Sequence, residues 1–158
     1  MVLPLKFIKK ALPAIAALPI IFFGFLYYAF HEENSYPQAH SIDFYLKLSS
    51  VIRNVPVLDV IGTPQYFSST GDGPKPPEST IWYTTSEKSE QSLAIKINAY
   101  LREQGFAPYT SQTLNVPIGD KKTVYQATFI NRDRESLEFI ISSLPMSNNL
   151  EVSVTHFN

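Results

Sequence analysis

The chain has 158 residues, 13 Lys and Arg against 14 Asp and Glu, and no cysteine. Without a thiol there is no disulfide, zinc–thiolate, iron–sulfur or cysteine-nucleophile chemistry. All 14 acidic residues follow residue 30, against ten of the basic ones, and the resulting charge of −4 over 31–158 excludes nucleic acid, whose phosphates demand a basic face.

Residues 11–30, ALPAIAALPIIFFGFLYYAF, hold twenty successive positions with no charge and no side-chain amide. A helix of that length spans about 30 Å, the thickness of a bilayer's hydrocarbon core. The stretch therefore predicts one N-terminal transmembrane helix. Lys6, Lys9 and Lys10 precede it and Glu32 and Glu33 follow it. Positive charge is retained on the cytoplasmic side, so the expectation is a single-pass protein of the inner (cytoplasmic) membrane. Its tail, 1–10, would be cytoplasmic and everything after residue 30 periplasmic or extracellular. Tyr27 and Tyr28 suit the headgroup layer, while Pro19 and Gly24 are places to kink. A cleaved signal fits less well, because the apolar run exceeds an h-region of roughly 7–15 residues. The exit Tyr28-Ala29-Phe30-His31 also lacks a small-x-small site.

Residues 31–40 are polar, include Pro37 and read as a short tether to a domain over 41–158. Phe44, Leu48, Val51 and Ile52 share one face of a helix predicted over 41–53, capped by Ser41 and ended by Val55-Pro56. A strand over 57–61 follows, ended by Gly62-Thr63-Pro64. The stretch 68–79, SSTGDGPKPPES, reads as a solvated hairpin loop, with Gly71-Asp72-Gly73 as its tight turn. Its glycines lack the spacing of a phosphate-binding loop. The run IWYTT at 81–85 is a strand.

A helix over 87–104 presents Leu93, Ile97, Tyr100 and Leu101 on one face, with Thr84 and Glu87 at capping-box spacing. Gly105 stops it, and Phe106 is placed to fold back on Leu101. Beyond it the period changes from helical to alternating. A short edge strand is predicted over 107–111, held at the edge by Pro108. Further strands follow over 123–130, around Leu137, Phe139 and Ile141, and around Leu150, Val152 and Val154. The fold class expected is α+β: a transmembrane helix followed by a small antiparallel-sheet domain with helices on one face.

Val55-Pro56-Val57, Gly62-Thr63, Tyr83-Thr84-Thr85-Ser86 and a helix carrying Tyr100-Leu101 and closed by Gly105-Phe106 together resemble a class of small bacterial membrane-anchored or exported α+β domains of unknown function. Those domains show a P-x-Y-P-G-A start, a Y-x-T-S strand end and a helix ending L-x-x-x-G-W. The likeness covers about 55–106; the Y-P-G core is missing here and Phe106 stands for the tryptophan. It implies the fold and carries no activity.

Catalytic and ligand chemistry leave little trace. His31, His40 and His156 are the only histidines, and no two stand at metal-ligand spacing. There is no G-x-S-x-G elbow, and Asp59, Asp72 and Asp120 are far apart in sequence. The expectation is a non-enzyme with no catalytic residue, cofactor or metal. The first reading is a non-catalytic envelope protein whose outer domain binds a protein partner or joins a membrane complex. The alternative is a domain that binds or senses a small molecule or cell-wall fragment through its sheet face and the 68–79 loop. Asp72 and Lys75 in that loop, with Trp82 and Tyr83 on the strand after it, are the candidate partner-binding residues. Neighbours on a strand point to opposite faces, so one of Trp82 and Tyr83 fills the core while the other faces out.

Overall fold

A computed structural model describes residues 17–28, 33–118, 121–144 and 147–158, with backbone alone for 112–118. The chain divides into two compact units, Met1–Glu33 and Asn34–Asn158. In the first, residues 17–28 are helical, and Leu18, Ile20, Phe23 and Tyr27 on that helix are all exposed.

This corrects the expected architecture and placement. No helix among the described residues is long and apolar enough to cross a membrane. The rest of the predicted span, 11–16 and 29–30, lies outside the described residues, as does the tail 1–10. The transmembrane helix, the single-pass topology and the inner-membrane localisation are therefore not what the structure shows. The α+β class is corrected as well, since the second unit is mostly one seven-stranded antiparallel sheet with few and short helices.

Its strands are β1 (Asn34–Ser35), β2 (Val60–Ser69), β3 (Glu78–Thr85), β4 (Ala107–Ile118), β5 (Lys121–Ile130), β6 (Ser136–Leu144) and β7 (Asn149–Phe157). Their spatial order is β1-β2-β3-β7-β6-β5-β4. The helices are α1 (Ile42–Lys47), α2 (Ser50–Arg53) and α3 (Glu90–Glu103). Strand β1 lies inside the stretch read as a tether and pairs Asn34 with Ser69 and Ser35 with Ser68.

Local chemistry explains where these elements begin and end. The helix read over 41–53 is two helices, because Ser49 restarts the chain. Its Oγ accepts the N–H of Ile52, and its own N–H donates to Ser79 Oγ at 3.0 Å, outside any helix ladder. Helix α3 starts at the Ser89 cap and not at the Thr84–Glu87 box; Glu87 Oε1 instead accepts the N–H groups of Lys88 and Ser89. At its far end Phe106 N–H reaches Leu101 O and Gly105 N–H reaches Arg102 O, both at 3.0 Å, with Gly105 at φ 88°. That is a Schellman closure, which a side chain at Gly105 would strain.

Strand β2 runs through Gly62-Thr63-Pro64, where the sequence predicts a stop. The register with β3 shifts between Ile61 and Gln65, and a bulge there absorbs both the left-handed Gly62 and the missing N–H of Pro64. Strand β4 is twelve residues long where five were expected, and its two register shifts against β5 leave it as the curled outer edge.

One hydrophobic core holds the unit together. Phe44, Ile52, Leu93, Ile97 and Leu101 from the helices pack on Ile81, Tyr83, Val152, Val154, Phe139 and Phe129 from the sheet. All three helices thus lie on one face of the sheet. Among the described residues of this unit, no helix lies on the other face.

Candidate functional site

The alternation of each central strand decides what that open face carries. On β3 the residues Ser79, Ile81, Tyr83 and Thr85 are buried, so Glu78, Thr80, Trp82 and Thr84 face the other way. Strand β7 buries Leu150, Val152, Val154 and His156 and turns Glu151, Ser153, Thr155 and Phe157 outward. Strands β5 and β6 contribute Gln126, Thr128, Glu138 and Ile140.

Register then brings these side chains into rows across the strands. One row reads Gln65, Trp82, Ser153, Ile140, Gln126, and the next Phe67, Thr80, Thr155, Glu138, Thr128. Nearly all of them are half-buried. The Trp82 indole and the Ile140 side chain sit on either side of Ser153, and Tyr36 packs on Phe67 with ring centroids 5.3 Å apart. Thr80 and Thr155 share a hydrogen bond of 3.0 Å between their hydroxyls.

The charge on this face is uneven. Lys121 Nζ holds Glu151 at 2.7 Å and Lys75 Nζ holds Glu78 at 3.2 Å. Glu138, in the middle, accepts a hydrogen bond from Gln126 Nε2 at 2.6 Å but has no cation beside it among the described residues. The face therefore offers one uncompensated carboxylate, Glu138, two residues along β6 from Ile140 and two strands across from Trp82.

The structure distributes the four residues singled out from the sequence. Trp82 is on the open face. Tyr83 is 2% exposed in the core, where its Oη donates to Pro56 O at 3.2 Å and burial pushes its phenol up to about 12. Asp72 and Lys75 close the tight turn of the β2–β3 loop, Lys75 N–H donating to Asp72 O at 3.1 Å. Through Glu78, Lys75 touches the rim of the open face, while Trp82 lies four residues along β3, about 13 Å away. Trp82 and Lys75 thus share a face; Tyr83 does not join them.

Two clusters were not anticipated from the sequence. Lys47 Nζ, on a side chain 5% exposed, lies 3.5 Å from Ser35 Oγ and 3.9 Å from Asp43, while Ser68 Oγ donates to Lys47 O at 2.7 Å. With its charge facing Asp43, this lysine stitches α1 to β1 and β2. His156 stands on the core side of β7, 3% exposed, with the Phe106 ring edge-on at 5.4 Å. Its Nε2 is 3.4 Å from Glu135 Oε2, yet neither ring nitrogen makes a hydrogen bond among the described residues. Burial lowers its pKa and the Glu135 carboxylate opposes that shift. Alternation marks His156 as inward-facing; no sequence signal pairs it with Glu135.

His40 is exposed, His31 lies outside the described residues, and among the described residues no three His, Asp or Glu side chains converge on a point where a metal ion could sit. The chain matches no protein-family model, no curated protein and no solved structure.

Proposed function

We propose that this protein is a non-catalytic binding module that holds a protein partner on the open face of its sheet, around Trp82. The supporting observation is the composition of that face. An aromatic anchor, Trp82, and an aliphatic one, Ile140, flank Ser153, and an uncompensated carboxylate, Glu138, lies two residues along β6 from Ile140, inside a border of threonine, serine and glutamine. Buried aromatic anchors within a polar rim are the usual energetic centre of a protein interface. The charge selects the partner's chemistry: a segment with a Lys or Arg next to an apolar side chain meets both Glu138 and Trp82. The Lys75–Glu78 pair sits at the end of the surface nearest the β2–β3 loop and makes that loop its rim.

The test is a photo-crosslinking residue at Ser153, beside Trp82 in register, in the full chain expressed in its own cells. The expected result is one discrete adduct whose crosslinked peptide carries a basic residue next to an apolar one. That adduct disappears on Trp82→Ala and weakens on Glu138→Lys. An adduct that survives both substitutions, or no adduct at all, overturns the proposal.

A further inference from the structure

A second, separate site lies where α3 ends. A depression of about 470 Å³ opens between the last turn of α3, the start of β4 and the β5–β6 turn, lined by Arg102, Phe106, Ala107, Ile130, Asn131 and Arg132. Ala107 and Ile130 are the first cross-strand pair of β4 and β5, so the notch sits at a corner of the sheet, away from Trp82.

Its polar groups come from different parts of the chain. Arg102 closes a helix and Arg132 sits in a turn; both are exposed, and neither guanidinium has an ion pair or hydrogen bond among the described residues. The acid on the same turn, Glu135, is already engaged. Glu135 accepts from Asn131 Nδ2 at 2.6 Å and faces His156 at 3.4 Å. Glu103 and Asp133 adjoin the arginines in sequence but do not line the notch. Two guanidinium groups on one concavity repel each other, and an anion between them removes that repulsion while each fork donates in parallel.

The walls restrict the anion further. Ala107 and Ile130 give the notch an apolar side above the buried Phe106, and Gly105 at its rim has no side chain and faces open space. A bare inorganic anion leaves that apolar side wet. We propose that the notch binds a carboxylate carried on an apolar body, its oxygens on Arg102 and Arg132 and its apolar part on Ala107 and Ile130. That chemistry belongs equally to a free aryl or alkyl acid and to the C-terminus of a peptide with an apolar last residue.

The experiment follows backbone amide resonances of the full chain during titration with three probes: 3-phenylpropionate, acetyl-Ala-Phe with a free carboxylate, and the same dipeptide as its C-terminal amide. The expected result is a saturable shift at Gly105, Phe106, Ala107 and Arg132 with at least one of the acids and none with the amide. Saturation by phenylpropionate alone identifies a free acid as the natural ligand; saturation by the dipeptide acid identifies a chain terminus. The double variant Arg102→Gln, Arg132→Gln, whose exposed positions leave the fold intact, weakens binding by at least about tenfold. Equal shifts with acid and amide, unchanged affinity in the double variant, or no saturable shift up to about 10 mM overturns the proposal.

Discussion

Trp82 and Tyr83 are neighbours on β3 and sit on opposite sides of the sheet. Tyr83 is sealed in the core with its hydroxyl on Pro56 O, and Trp82 lies half-buried opposite Ser153 on the face turned away from α1, α2 and α3. The two rings therefore have separate roles. Tyr83→Ala empties a packed core position and is expected to cost about 3–5 kcal/mol. Trp82→Ala removes only cross-strand contacts and is expected to cost on the order of 1 kcal/mol. Urea denaturation followed by circular dichroism separates them; equal losses contradict the two-faced arrangement.

The β2–β3 loop yields a matched pair of glycine substitutions. Gly71 and Gly73 both have positive φ, 77° and 54°. A Cβ at Gly71 meets Lys75 O at 2.5 Å and Pro77 N at 2.9 Å, whereas one at Gly73 meets nothing within 4 Å. Gly73→Ala is expected to cost only the left-handed conformation, about 1 kcal/mol. Gly71→Ala adds a backbone clash and is expected to lower the melting temperature clearly further. Thermal denaturation of the two variants side by side checks this, and identical melting temperatures contradict the loop geometry.

Acid sensitivity is expected to trace to His156. Its folded pKa is lowered from 6.5 by burial, so the unfolded chain binds the proton more readily. The stability this contributes is full above pH 6.5 and is lost as the pH falls below that value toward the lowered folded pKa. Glu135 is the charged group facing the ring at 3.4 Å; the other neighbours, Phe106, Ser79 and Leu137, are uncharged. His156→Leu keeps an apolar contact with Phe106 and removes the titration. Its melting temperature should stay flat on acidification until carboxylates protonate, near roughly pH 4–5. Parallel curves for the two proteins contradict the assignment.

Much of the sheet was legible in local pattern. Strict alternation at Leu150, Val152 and Val154 and at Leu137, Phe139 and Ile141 marks two strands, and both lie centrally with that face inward. The Gly105–Phe106 closure of α3 was legible for the same reason, since the motif is complete within six residues. What was missed depends on distant partners. Ser49 splits a helix because Ser79, thirty residues on, offers it an acceptor. β2 continues past Pro64 because a bulge against β3 tolerates it. The apolar run 11–30 suggested a membrane span by composition alone, and no helix among the described residues is long and apolar enough to cross a membrane. That one of Trp82 and Tyr83 faces outward was legible, but not which; Glu138 and Ile140 share its face only through a register that no single strand encodes.

The central claim, that a partner binds across Trp82, has a direct probe because Trp82 is the chain's sole tryptophan. The measurement is the emission of the full chain during titration with the partner segment recovered by crosslinking at Ser153, synthesised as a peptide. The account predicts a saturable blue shift as the indole is covered, with affinity reduced in the Glu138→Lys variant. A peptide that binds while the emission stays unchanged places the interface elsewhere and contradicts the account.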